Sequence, residues 1–187
     1  MSSHLDYEIN KELGECYLFM GDLDKAEEYY RKAASSNGVH PDPYLGLATI
    51  AVQRGRLDEA MTLYRKATSI EETDKSLAGM GLVEMEIGAH DEAFTHFAQA
   101  LERNPENAIA LNCLVREGYH LGRVAEVIPY LESGVAASPD KETVRVALAG
   151  CLISAGRADE ARDHLEYVLE RHADYDDAKV LYDSIAA

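Results

Sequence analysis

The chain is short of cysteine, of cations and of long apolar runs. Its three cysteines, Cys16, Cys113 and Cys151, lie far apart, are odd in number and form no C-x-x-C pair. That argues against a disulfide framework or a zinc site and suits a reducing compartment. No apolar stretch approaches the roughly 18 residues of a membrane span, and the opening Met1-Ser-Ser-His4 leads into no apolar segment, so neither a span nor a signal peptide is expected. Lys and Arg number 18 against 34 Asp and Glu, a formal charge of −16. A surface of that sign repels phosphate backbones and anionic lipid, so no nucleic acid and no membrane is expected as a partner, and the cytoplasm is the expected location. Acidity of this size favours basic or apolar partners, and it also serves solubility alone.

Catalytic signatures are missing too. The glycines form neither a G-x-x-x-x-G-K-[ST] nor a G-x-G-x-x-G loop after a strand, and there is no G-x-S-x-G elbow and no H-E-x-x-H. The seven histidines, at 4, 40, 90, 96, 120, 164 and 172, include no pair spaced for metal ligation on one helix. The run Asp174-Tyr-Asp-Asp177 lacks the glycine and the distal glutamate of a calcium loop, and capping of a following helix accounts for it. The cysteines fall on predicted helices beside apolar neighbours and are expected to be small buried hydrophobes. No catalytic, cofactor-binding or metal-binding residue is assigned. The chain is expected not to be an enzyme and to carry no cofactor.

What the sequence has in quantity is repetition. The skeleton Gly21-Asp-Leu-Asp-Lys-Ala-Glu-Glu-Tyr-Tyr-Arg-Lys-Ala33 returns at Gly55–Ala67, at Gly88–Ala100 and, with its last Ala replaced, at Gly156–Val168. A worn copy lies at Gly122–Gly134, so the five glycines are spaced 34, 33, 34 and 34 residues apart. A fixed period of that size signals stacked supersecondary units rather than one globular core.

Each glycine is flanked by helical periodicity on both sides. In the first repeat Ile9, Leu13, Cys16, Tyr17 and Met20 mark the expected inner face of a helix from about Leu5 to Met20. Gly21 stops that helix, because glycine enters the left-handed region without a Cβ penalty. Asp24 is expected to open the next helix by accepting free backbone N–H groups and by favouring its dipole. Asp58, Asp91 and Asp159 repeat it, and only Ala125 breaks the series. Ala26, Tyr30 and Ala33 form the inner stripe of this second helix. Turns between repeats are marked by Asn37-Gly-Val-His-Pro-Asp-Pro43, Asn104-Pro105 and Ser138-Pro139, whereas Ile70–Asp74 has no proline and is one residue shorter. Residues 176–187 are expected to form a terminal helix, with Ala178, Leu181, Tyr182 and Ile185 covering the last apolar surface.

These residues bring the chain to a family. Leu13-Gly14-x-x-Tyr17 with Ala26-x₃-Tyr30-x₂-Ala33 closely resembles the tetratricopeptide repeat, as do Leu47-Ala48 with Ala60-x₃-Tyr64-x₂-Ala67 and Met80-Gly81 with Ala93-x₃-Phe97-x₂-Ala100. The resemblance implies an all-α, right-handed α-solenoid of about five TPR helix-turn-helix units plus a C-terminal capping helix. The repeats would run over about 7–40, 41–73, 74–107, 108–141 and 142–175, as one domain. Small residues at 14, 26 and 33 should let helices approach, with large ones at 17, 30, 64 and 97 filling the holes. The chain departs from the pattern at several places. Asn10 and Arg145 stand where a bulky residue belongs, which should loosen both ends. The fourth repeat carries Gly118, Val127 and Gly134 at the aromatic and two alanine positions. Its second helix also carries Pro129, which should bend it slightly.

The family implies a protein-interaction scaffold whose first helices line a concave groove. Carried onto this sequence, the groove residues are Leu18, Phe19, Leu45, Val52, Lys75, Leu82, Met85, Asn112, Arg116, Tyr119, His120 and Ile153. The apolar ones suit a helix or extended peptide with hydrophobic anchors, with the alternative that Leu18 and Leu45 tuck between helices. Asn112, Arg116 and His120, spaced i, i+4, i+8, make a polar face that either anchors a peptide or is solvated with Arg116 paired to Glu117 or Glu142. Chaperone-tail binding is not expected, since Glu15, Gly46 and Gly79 stand where family members place Asn, Asn and Arg, although Lys11 and Lys75 match. The expected function is binding of a partner protein or peptide. The alternatives are a homo-oligomerising module, through the first or the last helix, and the repeat region of a larger protein.

Overall fold

A computed structural model of the chain describes residues 2–36 and 38–186. Asn37 of the first inter-repeat turn and Ala187 of the expected last helix lie outside the described residues. Those described fold into helices α1 (Ser2–Phe19), α2 (Leu23–Ser36), α3 (Asp42–Gln53), α4 (Leu57–Ile70), α5 (Asp74–Glu86), α6 (His90–Arg103), α7 (Ala108–Leu121), α8 (Val124–Ala137), α9 (Glu142–Ser154), α10 (Ala158–Arg171) and α11 (Asp176–Ala186), with no strand among them. The fold is all-α and built of helix-turn-helix repeats, the solenoid class. Contacts divide it into two compact units, residues 1–100 and 101–187, the boundary falling in the last turn of α6. In the first unit each helix from α1 to α5 packs on the next, and α3 also touches α1 and α5. The second runs likewise from α7 to α11, with α11 also against α9.

The glycine turns are built alike. All five repeating glycines adopt φ between 68° and 81°, a region costly for any residue with a Cβ. The residue after each glycine donates its N–H to the carbonyl five residues back, as in Asp22 N to Tyr17 O at 2.9 Å and Arg56 N to Ala51 O at 2.8 Å. This closes the helix end and reverses the chain within two residues.

Starts of helices differ from expectation. Asp24 does not cap α2; Asp22 does, accepting the Lys25 N–H at 3.2 Å. Asp24 lies within the first turn, where it favours the dipole, and its carboxylate pairs with Arg54. Arg56 and Arg157 precede α4 and α10 without a side-chain cap, so Asp58 and Asp159 contribute only from inside the first turn. The proline-free turn before α5 carries instead a reciprocal cap in which Thr73 and Ser76 each accept the other's backbone N–H at 3.1 Å. Asn107 caps α7 by accepting from Ala110 N at 2.9 Å.

The inner face of α1 is also rotated from the one expected. Tyr7 and Gly14 are buried, whereas Ile9, Cys16 and Met20 are exposed. The cause is the ring of Tyr30. A Cβ on Gly14 would lie 2.9 Å from Tyr30 Cδ1, so α1 must turn its glycine towards α2. On its other side the same ring covers Gly46 of α3, where an added Cβ would fall well inside van der Waals contact. Tyr64 covers Gly79 of α5 in the same way, and Phe97 lies over Gly81, 2.8 Å from where a Cβ would stand. Ala26, Tyr30 and Ala33 are the buried residues of α2, as their spacing requires. Large rings from second helices thus enter holes left by absent side chains on first helices.

In the second unit the columns change. Val127 fills the space that Gly118 leaves open, and α8 continues unbroken through the exposed Pro129. Arg145 does not loosen its end: its guanidinium carbon lies 3.7 Å from the centre of the Tyr167 ring, and that of Arg171 lies 3.6 Å from the same centre. Two groups so close to one ring must take opposite faces, so α9 is tied to α10 by stacked cations. In α11 Ala178 is buried and Leu181, Tyr182 and Ile185 are half-buried, with Asp177, Lys179, Asp183 and Ser184 outside.

Ring-over-glycine packing predicts opposite signs for one substitution at two sites. Gly46→Ala drives its Cβ into the Tyr30 ring and should destabilise by about 1–3 kcal/mol, the cost of overpacking. Gly150→Ala in α9 would meet only the Tyr119 hydroxyl at 3.7 Å and Leu181 at 3.9 Å. It should stabilise by about 0.5–1 kcal/mol through helix propensity. Urea titrations followed by circular dichroism measure both.

Candidate functional site

The expected groove residues are all at least partly accessible, but they are not alike. In the first unit Phe19 is 94% exposed, whereas Leu18 is half-buried against the cluster of Ala26, Tyr30, Leu47 and Ile50. Leu45 and Val52 are half-buried against the neighbouring cluster of Ala48, Ala51, Ala60, Tyr64 and Val83. These three are the outer edge of the core as much as a floor. Leu82 and Met85 are half-buried and Lys75 is exposed on α5. Lys11 forms an ion pair with Glu8 at 2.9 Å, and that hydrogen bond raises the lysine's pKa. Gly46 and Gly79 face rings, not a groove, so packing occupies the positions where a carboxylate-binding family member carries asparagine or arginine.

In the second unit the polar residues expected on α7 lie at the surface. Asn112, Arg116 and His120 are all exposed along one side of the helix, as is Tyr119. Arg116 Nε lies 3.8 Å from Glu117 Oε1, while Glu142 approaches His172 at 3.3 Å instead. Glu117 is only 2% exposed, a carboxylate in the column occupied elsewhere by Ile50, Val83 and Cys151. Tyr119 reaches α9, its hydroxyl 3.0 Å from Ser154 Oγ, and burial pushes its pKa up. Ile153 is half-buried on the same helix.

Beside Asn112 lies a feature the sequence reading did not predict. A cavity of about 70 Å³ opens between α7 and α9, bounded by Leu111, Val115, Leu131, Val144 and Ala147. Leu131 occupies the column of Tyr30, Tyr64 and Phe97, as Leu165 does in the fifth repeat, so the hollow lies where a ring would otherwise reach. Aligning the five repeats in columns would have shown both truncations. In the first unit a wider hollow of about 410 Å³ lies between α4 and α5, with Glu84 on its wall. Glu84 is buried in the column of Tyr17, Ala51, Gly118 and Leu152, and its Oε2 stands 2.5 Å from His96 Nδ1 on α6.

The cysteines divide. Cys151 is buried and Cys113 half-buried, and burial raises both thiol pKa values, which keeps them unreactive. Cys16 is exposed, against expectation, because α1 turns Gly14 inward. Among the described residues no group of three His, Cys, Asp or Glu could hold a metal ion, and no helix is long and apolar enough to cross a membrane.

His164 on α10 lies beside Arg145, whose Nη1 is 3.3 Å from His164 Nδ1. Burial and then the Arg145 charge lower its pKa, outweighing Asp163, Glu132 and Glu160. As pH falls below about 6.5 the unfolded chain therefore takes up this proton before the folded chain does, and stability declines until the folded value is passed. His164→Gln should flatten the fall of melting temperature between about pH 7 and pH 5. Equal slopes in the two proteins would refute this account of His164.

Comparison with known proteins agrees with this fold. Tetratricopeptide repeat models match residues 11–75, 79–142 and 119–185. A BBSome complex member BBS4 from Bos taurus is 33% identical over 107 residues, which is 57% of this chain and 20% of that protein. A CTR9 homolog from Arabidopsis thaliana is 27% identical over 103 residues, 54% of this chain and 9% of that protein. The chain thus spans a fifth or less of these curated relatives. Among solved structures, PilF of Pseudomonas aeruginosa superimposes with a TM-score of 0.72 at 19% identity, covering 97% of this chain and 90% of that one. MamA gives 0.66 at 18% identity over 90% and 92%. YrrB, a TPR protein described as having an unusual peptide-binding site, gives 0.64 at 16% over 90% and 88%. Proteins of this kind generally serve as protein-interaction scaffolds, and with models matching most of its length the chain belongs to the tetratricopeptide repeat family.

Proposed function

We propose that the chain is a non-enzymatic scaffold that binds a peptide or helix of a partner protein on the faces made by its first helices. The observation that carries this reading is the row of Asn112, Arg116 and His120, exposed on one side of α7 and bordered by an open apolar hollow. Polar groups that fix a segment's register beside an apolar pocket that anchors it are the elements peptide recognition uses. Tyr119 and Ile153 extend that face, and in the first unit Phe19, Lys75, Leu82 and Met85, with the edges of Leu18, Leu45 and Val52, form a separate one. A fold shared with YrrB supports peptide binding as a use of such faces. The charge of −16 disfavours nucleic acid and anionic membrane as occupants.

A photo-crosslinking residue at His120 should trap the partner in native cells, whereas one at the exposed Asp163 of α10 should not. Arg116→Ala should then weaken that partner roughly tenfold, as loss of a polar anchor does, with ellipticity unchanged. Equal trapping at both positions, or affinity unaltered by Arg116→Ala, would count against the α7 face.

A second reading has its own observation. Helix α1 leaves Leu5, Ile9, Phe19 and Met20 exposed, an apolar surface suited to a second copy of the chain. Light scattering should then show mass rising with concentration in the wild type, and Ile9→Glu with Met20→Glu should hold the chain monomeric. A constant monomer mass at every concentration excludes self-assembly.

A further inference from the structure

The hollow between α7 and α9 has a size, a lining and a rim that together specify what it takes. Its volume, about 70 Å³, is several times what one water occupies and about half that of a cavity known to hold benzene. An aromatic ring is therefore too large, and a branched aliphatic group is of the right order. The interior is formed by Val115, Leu131, Val144 and Ala147, which offer water no hydrogen bonds. Water held there is poorly satisfied, and its displacement by an apolar group is favourable. Polar groups stand only among the remaining lining residues: Asn112 from α7, Thr143 from α9, and Lys141 immediately before α9. Lys141 is exposed and makes no ion pair among the described residues, in a chain where acids outnumber bases. Lys141 complements a carboxylate.

We propose that this hollow is a side-chain pocket for a leucine-like residue of the partner, with an adjacent carboxylate held by Lys141 and the peptide amide met by Asn112 and Thr143. The proposal rests on the reading of the α7 face as a partner surface and names the chemistry of the segment that enters it. It also gives the truncated ring column a role: Leu131 leaves open what Tyr30, Tyr64 and Phe97 close in the first unit. An aliphatic C-terminal residue with its own carboxylate presents the required pair of groups.

The smallest molecule that carries all three elements is N-acetyl-L-leucine, and amide-resonance titration with it is the test. Shifts are expected to cluster on α7, α9 and Leu131. N-acetyl-L-leucinamide, lacking the charge, should bind about fivefold more weakly, as expected for one solvent-exposed ion pair. N-acetyl-L-alanine should be weaker still. Leu131→Phe and, from the opposite wall, Ala147→Leu should each abolish the leucine shifts, because both fill the space. Shifts that are absent, spread over the first unit, equal for the leucine and alanine compounds, or undiminished in both filled variants would overturn the pocket. The wild-type comparison of leucine with alanine decides the matter even if a filled variant unfolds. A partner still trapped from His120 after Leu131→Phe removes the pocket but keeps the α7 surface. A partner lost from that surface while the leucine probe still binds does the reverse.

Discussion

Stacking in the first unit depends on a size match between consecutive hairpins. A second helix projects one large ring, and the first helix of the following hairpin must present no side chain where the ring arrives. Tyr30 against Gly46 and Tyr64 against Gly79 are the two clearest cases, and both glycines stand in helix interiors, where glycine costs about 0.5–1 kcal/mol relative to alanine. Burial of a tyrosine ring in a close-packed site more than offsets that cost. The match also explains why each hairpin requires a neighbour. Tyr30 lies on Gly14 of its own hairpin and on Gly46 of the next, so part of its packing exists only after stacking. A lone helix pair would leave one face of that ring in water.

How much of this could be read from the sequence follows from the same match. The period, the glycine stops and the stripe of Ala26, Tyr30 and Ala33 are written in residue type alone, because a positive φ and a close helix approach admit few alternatives. The face of α1 was not legible. Ile9, Cys16 and Met20 have the apolar spacing of an inner stripe, yet Gly14 faces inward because only a glycine accommodates Tyr30, and a 3.6-residue pattern gives no weight to an absent side chain. The capping aspartates mislead for a related reason. Asp24 recurs and so attracts notice, but the hydrogen bond to the first turn comes from Asp22, and the recurrent position supplies only charge. Arg145 shows the converse, since a polar residue at a bulky position fills it by stacking its planar guanidinium on Tyr167.

Of the candidate site, sequence spacing placed Asn112, Arg116 and His120 on one side of α7, and their common exposure agrees. It could not show that Leu18, Leu45 and Val52 divide their surface between core and solvent, because that division depends on neighbouring helices rather than on their own. Nor could it place Glu84 and Glu117 in the interior, since both occupy columns where other repeats are apolar or aromatic. Buried carboxylates are tolerated only with partners, and Glu84 obtains His96 from the next helix. That partnership crosses twelve residues and has no local signature.

Two irregularities of the fourth repeat differ in kind, and the difference bears on the reading proposed for it. Gly118 and Val127 exchange bulk: the side chain lost from α7 is replaced by one gained on α8, and the gap is closed. Such compensated changes are what neutral drift in a packed core produces, because uncompensated ones are destabilising. Leu131 is compensated only in part: Val115 and Ala147 stand in the columns of Gly14 and Gly46, and a hollow remains between α7 and α9. That hollow opens to the surface beside the exposed row of Asn112, Arg116 and His120, and its walls are apolar where that row is polar. On the partner-binding reading proposed above, an occupant's side chain would complete the packing that Leu131 leaves open.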